Sequence, residues 1–263
     1  MRILYIILFY SIFLQSVFSQ EGFLTTFDNG GIASFYDILV DDDTLFLFGI
    51  TNTNEIQQQG LLLVKMDTSG NIIDFKNHLD TFGREYAFIG MDAKMKFDDE
   101  GSIILAGGIF GNPISFISKI DRNLNIITWT EYSEQPDGVS EIPRSMEITP
   151  DHIYLISSLQ LASTYKNDVL VTKYDHDLNK VAEWRYGLED EWETPRSSFL
   201  KNNNELWIGA SISTGDNGPY SYIDECYGSR IFAIDSTGQF LWKNEGEPCE
   251  ELGVFGLQST SDG

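Results

Sequence analysis

Apolar residues gather in four similar stretches, TLFLFGIT from Thr44, SIILAGGI from Ser102, HIYLISSL from His152 and ELWIGASI from Glu205. Each is led in by a polar turn such as VDDD, FDDEG, TPD or KNNN. The runs are too continuously apolar for strands with one wet side, so both faces of each must be covered. A second shared segment follows each: LLLVKMDTSGN from Leu61, SFISKIDRNLN from Ser115, VLVTKYDHDLN from Val169 and RIFAIDSTGQ from Arg230. Their aspartates, Asp67, Asp121, Asp175 and Asp235, recur at intervals of 54, 54 and 60 residues, and Phe75, Trp129, Trp184 and Trp242 follow them. The repeat unit holds four strand-like runs; in the third copy these are residues 144–149, 153–158, 169–174 and 180–186.

A period near 54 with four short strands per copy predicts a repeat array. Sheets covered on both faces fit an all-β β-propeller of four-stranded antiparallel blades around an axis. Four full blades are expected, at about residues 33–80, 90–133, 142–188 and 194–247 of a propeller region spanning 20–263. Partial strands are expected at both ends, GFLTTFD from Gly22 and a partial blade from Gly253. Propellers remove exposed sheet edges by closure, so this pattern predicts an incomplete propeller whose closing blade continues downstream.

The segment FAIDSTGQFLW, residues 232–242, resembles the tryptophan-docking repeats of quinoprotein-type propellers, where an aspartate, a turn glycine and a tryptophan recur in each blade. Here Asp235 to Gly238 is one residue shorter than that pattern, and the copies DRNLN and DHDLN lack the glycine. Over about residues 30–263 the chain is also similar to secreted repeat propellers of the Bacteroidota, proteins that often carry a C-terminal type IX sorting domain.

The opening MRILYIILFYSIFLQSVFSQ reads as a signal peptide over residues 1–19: Arg2 gives a positive start, an apolar run follows, and Val17 and Ser19 fit the small-residue cleavage rule. That run falls short of the roughly 20 residues that cross a bilayer, so no membrane insertion is expected after cleavage. The expected location is secreted or cell-surface. With 40 acidic against 17 basic residues and a formal charge of -23, the surface repels phosphate backbones, and no nucleic acid partner is expected. Export permits disulfides, and the two cysteines, Cys226 and Cys249, stand in no CxxC motif and at no metal-ligand spacing. One structural bridge is expected, contributing about 3 kcal/mol by loop closure.

In an antiparallel meander alternate connections fall on opposite ends. One end collects the long material, including NTNEIQQQG, STGDNGPYSYIDECYGS and HLDTFGREYAFIG; the other has tight turns. Tyr220, Tyr222 and Tyr227 lie with the cysteines on the long-loop end. They suit contact with an extracellular glycan or protein through stacking and hydroxyl bonds, or simply cover the blade top. A motif ExPRS occurs twice, EIPRS from Glu141 and ETPRS from Glu193. It is expected at the start of a first strand, where proline need not donate to the ladder. Arg144 and Arg196 are then expected near the axis, paired with carboxylates or facing an acidic ligand.

DHDLN from Asp175 begins like a calcium loop, but Lys180 and Tyr186 stand where the sixth-position glycine and twelfth-position glutamate belong, so a turn is expected. Calcium is an option for the acidic face, and no cofactor is identified. His78, His152 and His176 have no metal spacing, and GxSxG and HExxH are absent from the sequence. The expectation is a non-catalytic secreted propeller that binds at its long-loop face. The alternative is an extracellular propeller enzyme, either a quinoprotein-like dehydrogenase or a glycan-active enzyme.

Overall fold

The computed structural model describes residues 31–53, 56–80, 82–87, 95–110, 114–132, 138–161, 166–188, 191–214 and 226–245. Within them the apolar runs and their neighbours form four antiparallel sheets. Sheet 1 is β1 (Gly31–Asp41), β2 (Thr44–Thr53), β3 (Ile56–Asp67) and β4 (Ile72–His78). Sheet 2 has a first strand in two pieces, β5 (Glu85–Ala87) and β6 (Met95–Phe97), both paired with β7 (Ile103–Phe110) and followed by β8 (Ile114–Ile120) and β9 (Ile126–Tyr132). Sheet 3 is β10 (Gly138–Ile148), β11 (Ile153–Leu161), β12 (Asn167–Tyr174) and β13 (Lys180–Tyr186). Sheet 4 is β14 (Glu191–Asn202), β15 (Glu205–Thr214), β16 (Cys226–Asp235) and β17 (Phe240–Glu245).

Every sheet is a meander in chain order. The first strands meet one another from sheet to sheet, β1 with β6, β6 with β10 and β10 with β14, while the fourth strands carry most of the exposed positions. First strands inside and fourth strands outside are the arrangement of a β-propeller.

The continuously apolar second and third strands are explained by what covers them. Phe46, Phe48, Leu61 and Leu63 of sheet 1 pack on Tyr86, Leu105 and Phe116 of sheet 2. The next seam joins Ile104, Ala106 and Ile117 to Met146, Ile153, Leu155 and Tyr174, and the third joins Tyr154, Ile156, Val169 and Val171 to Ile208, Phe232 and Ile234. Each such large side chain contributes about 1.5–3 kcal/mol when fully buried.

The repeated aspartate builds the hairpin between third and fourth strands. Asp67 Oδ1 accepts from the N–H groups of Ser69 and Asn71 at 2.9 and 2.8 Å, and Asp121, Asp175 and Asp235 do the same in their own turns. Side-chain donors Asn71, Asn179 and Thr237, helped by these N–H groups, hold Asp67, Asp175 and Asp235 below the usual carboxylate range. DHDLN is one of these turns: Asp175 accepts from Asp177 N, Asn179 N and Asn179 Nδ2.

The third residue after the aspartate has positive φ in all four turns: Gly70 at 87°, Leu124 at 62°, Leu178 at 65° and Gly238 at 81°. Leucine is costly in this region, and both leucines are buried to 1% exposure between sheets, which offsets the backbone cost. The preceding sheet docks on these turns. His78 Nε2 lies 3.1 Å from Leu124 O, and Tyr186 OH donates to Gly238 O at 2.7 Å. Trp184 covers Gly238 so closely that a Cβ there would collide with its ring atoms.

Two boundary expectations change. β10 begins at Gly138 and β14 at Glu191, so ExPRS lies inside the first strand rather than at its start. Antiparallel partners reaching Leu161 and Thr214 extend the ladder into what read as connector. The signal peptide at 1–19 and the partial strands near 22 and from 253 lie outside the described residues.

Candidate functional site

Three first strands skip one residue at the same level of the ladder. Tyr36 is passed over between the pairs Phe35↔Gly49 and Asp37↔Phe48, Arg144 between Pro143↔Ser157 and Ser145↔Ile156, and Arg196 between Pro195↔Ala210 and Ser197↔Gly209. Sheet 2 breaks its ladder at the matching place, between Ala87↔Gly108 and Met95↔Leu105. A bulge bends the strand and re-aims the extra side chain, and it tolerates proline because a ladder donor is not required there. ExPRS is therefore a bulge signature on the inner strands. Arg144 is buried, and Arg196 is half-buried with its Nε donating to Ser211 Oγ at 3.1 Å.

The two motif glutamates meet different surroundings. Glu193, 1% exposed, pairs with Arg230 Nη1 rather than with Arg196 of its own motif, while Arg230 Nη2 holds Glu191 Oε2 at 2.8 Å. Arg230 stands opposite Ala210; the same place in sheet 3, opposite Ser157, is Leu170. Glu141, 8% exposed, therefore receives no cation there. Burial, reinforced by Glu183, pushes its carboxyl up to about 7, against the opposing pull of the Ser157 hydroxyl and Lys180.

Nearer the tight-turn end, a polar chain ties three first strands together. Lys96 Nζ meets Glu147 Oε2 at 2.7 Å, Ser198 Oγ donates to Glu147 Oε1 at 2.8 Å, and Ser145 and Ser198 share a hydroxyl bond of 2.7 Å. This chain has the charge balance of a structural tie.

Toward the other end, a cleft of about 450 Å³ opens between sheets 3 and 4, lined by Arg185, Tyr186, Glu193, Arg230, Phe240 and Trp242 among others. Phe240, 55% exposed, stands edge-on to Tyr186 at 4.9 Å between ring centres. Arg185 pairs with the buried Asp168. Ionic and aromatic groups thus share one wall.

Of the residues singled out from sequence, Arg144 and Arg196 reach the inner strands at one level. Tyr220, Tyr222 and Cys249 lie outside the described residues. Cys226 and Tyr227 open β16 opposite Thr214 and Ser213, with their side chains outside the description, so the expected disulfide is outside it too. Sequence reasoning missed Arg230 and the cleft. The available signal was a charged residue heading RIFAID, where VLVTKYD has only apolar residues at the corresponding level.

No family model matches the chain, and no curated protein matches it in sequence. Solved structures similar to it include an exo-β-1,3-galactanase from Clostridium thermocellum, at 10% identity over 77% of this chain and 47% of that one, with a TM-score of 0.48. A GH43 endo-arabinanase from Bacillus licheniformis shares 14% identity over 86% of this chain and 82% of its own, with a TM-score of 0.41. A GH43 β-1,3-galactosidase shares 10% identity over 85% and 78%, with a TM-score of 0.47. The chain spans about half the length of the galactanase. At such identities the likeness is one of fold, an all-β propeller of four-stranded antiparallel sheets. Those solved structures are glycoside hydrolases, on the side of the glycan-active alternative and against the expected non-catalytic binding scaffold.

Proposed function

We propose that this protein is an extracellular glycan-active enzyme and that the cleft between sheets 3 and 4 receives part of the sugar chain. The composition of that cleft carries the reading. Phe240 and Trp242 offer ring faces for the C–H surfaces of sugars, and the partly exposed Arg185 offers hydrogen-bonding groups for hydroxyls, above a floor formed by Tyr186, Glu193 and Arg230. Arg185, Arg230 and Lys243 bring three positive charges to the cleft, and Asp168, Glu191 and Glu193, which meet the two arginines, bring three negative ones, so the cleft has no surplus positive charge and favours neutral sugars over anionic ones. The signal-like opening of the chain supports an activity outside the cell.

The test is release of reducing ends from arabinan, β-1,3-galactan and uronate-rich polymers by the secreted full-length protein. Neutral polymers should be cleaved, and Trp242→Ala with Phe240→Ala should lower the rate at least tenfold while the melting curve stays cooperative. Absence of cleavage of every polymer by correctly folded protein would overturn the reading.

A further inference from the structure

The cleft between sheets 3 and 4 has a closed counterpart between sheets 1 and 2, where three rings of sheet 2 fill the seam. Tyr86 on β5 stands opposite Ile109, Phe116 on β8 opposite Gly107, and Trp129 on β9 opposite Ser118, whose own partner is Leu105. Phe116 and Trp129 stack at 4.1 Å between ring centres with 14° between their planes, and Tyr86 meets them edge-on at 5.7 and 5.9 Å. All three rings belong to, or pack on, the core that joins the two sheets.

Leu105, Gly107 and Ile109 of the stretch SIILAGGI correspond to Ile208, Ala210 and Ile212 of ELWIGASI. Glu193 on β14 stands opposite Ile212, Arg230 on β16 opposite Ala210, and Lys243 on β17 opposite Phe232, whose own partner is Ile208. Sheet 4 therefore carries Glu193, Arg230 and Lys243 where sheet 2 carries Tyr86, Phe116 and Trp129, and all three charged residues line the cleft. The exchange accounts for the opening. Buried Glu193 and Arg230 satisfy each other at the floor, while Lys243 is exposed at the rim and keeps its ammonium in water where an indole would lie flat in the seam. An apolar filling is often at least as stabilising as a buried ion pair, so stability alone does not favour the charged version. Local departures of this kind are expected where a site has to be kept open.

We propose that the cleft is the unplugged form of this aromatic seam, that one sugar ring of the glycan enters where the Trp129 indole lies in the other seam, and that Lys243 binds the hydroxyls of that ring. The proposal rests on the glycan-active reading and adds to it the residue that defines the subsite. A sugar ring resembles the indole in presenting an apolar face to an apolar wall, here the exposed Phe240 and Leu241. It differs in its rim of hydroxyls, which an aromatic plug could not serve. The three ammonium donors of Lys243 reach hydroxyl oxygens from one side of the cleft, and the guanidinium of Arg185 does so from the sheet 3 side.

Two variants of the secreted full-length protein test this. Lys243→Trp restores the plug, and it should raise the thermal midpoint while abolishing cleavage of arabinan and β-1,3-galactan. Lys243→Met keeps the apolar stem and removes the donors. It should raise KM about tenfold with kcat nearly unchanged and leave the melting curve where it was. A lysine with a merely structural role would move the midpoint and not KM. If Lys243→Trp does not fold, the KM of Lys243→Met decides alone. Calorimetric titration with arabino- and galacto-oligosaccharides separates the subsite from the enzyme reading. Wild type that binds them but cleaves no polymer, with binding lost in Lys243→Trp, would end the enzyme reading and keep the subsite. Wild type that neither binds nor cleaves would overturn both. Cleavage by Lys243→Trp at the wild-type rate, or an unchanged KM in Lys243→Met, would overturn the subsite alone.

Discussion

Sheets 3 and 4 carry the same five-residue motif at the same bulge, yet their glutamates are treated in opposite ways. Glu193 lies against Arg230, and Glu141 lies among tyrosines and a serine. The cause is a single position on the third strand, arginine opposite Ala210 in one sheet and leucine opposite Ser157 in the other. A repeat thus conserves the backbone of a site while a neighbour outside the motif sets its charge state. Motif identity gives geometry, and the register of the adjacent strands gives chemistry.

The largest effect should come from breaking the charged member of the pair. Arg230→Leu copies the sheet 3 arrangement into sheet 4 but strands Glu193 with 1% exposure. Removing one partner of a buried ion pair costs about 3–5 kcal/mol, measurable as a drop in the denaturant midpoint. The double variant Arg230→Leu with Glu193→Gln should recover much of that loss. If the single variant is as stable as the wild type, the ion pair does not govern Glu193.

The reverse transplant, Leu170→Arg, supplies a cation beside Glu141. It should abolish the pH-dependent loss of about 3 kcal/mol that follows from a carboxyl titrating near 7 instead of 4.5. Leu170 packs with Leu159 and Leu161, so the variant should start from lower stability and show a flatter profile from pH 5 to 8. An unchanged profile would show that the new arginine does not reach the carboxyl.

A smaller effect compares the docking turns of the two sheets. Gly238→Ala would push a methyl group into Trp184, whereas the turn of sheet 3 already carries Leu178. Overpacking together with the positive φ should cost about 1–3 kcal/mol, read from the thermal midpoint. The smallest change is Arg196→Ala, which loses the bond to Ser211 and should cost about 0.5–1.5 kcal/mol while leaving the bulge in place.

Much of the fold was legible because its causes are local. Four apolar second strands demanded cover on both faces, and Asp67, Asp121, Asp175 and Asp235 each close a turn with donors two and four residues away. The start of the first strands was not legible, because it depends on how far β11 and β15 extend opposite them. ExPRS consequently read as a strand start, though it marks a bulge. The leucines at 124 and 178 also hid their turn geometry, since only burial between sheets makes a left-handed leucine tolerable.

The candidate site was less legible still. The cleft joins the end of one sheet to the first, third and last strands of the next, and no periodicity along a single segment encodes that meeting. What the sequence determined by itself was the repeat, its strands and its aspartate turns, because hydrophobic pattern and short-range hydrogen bonds act within a few residues. The tertiary structure decided which buried glutamate received an arginine and which received hydroxyls. That choice depends on strands distant along the chain being brought into register, and burial then fixes the strength of every charge they present.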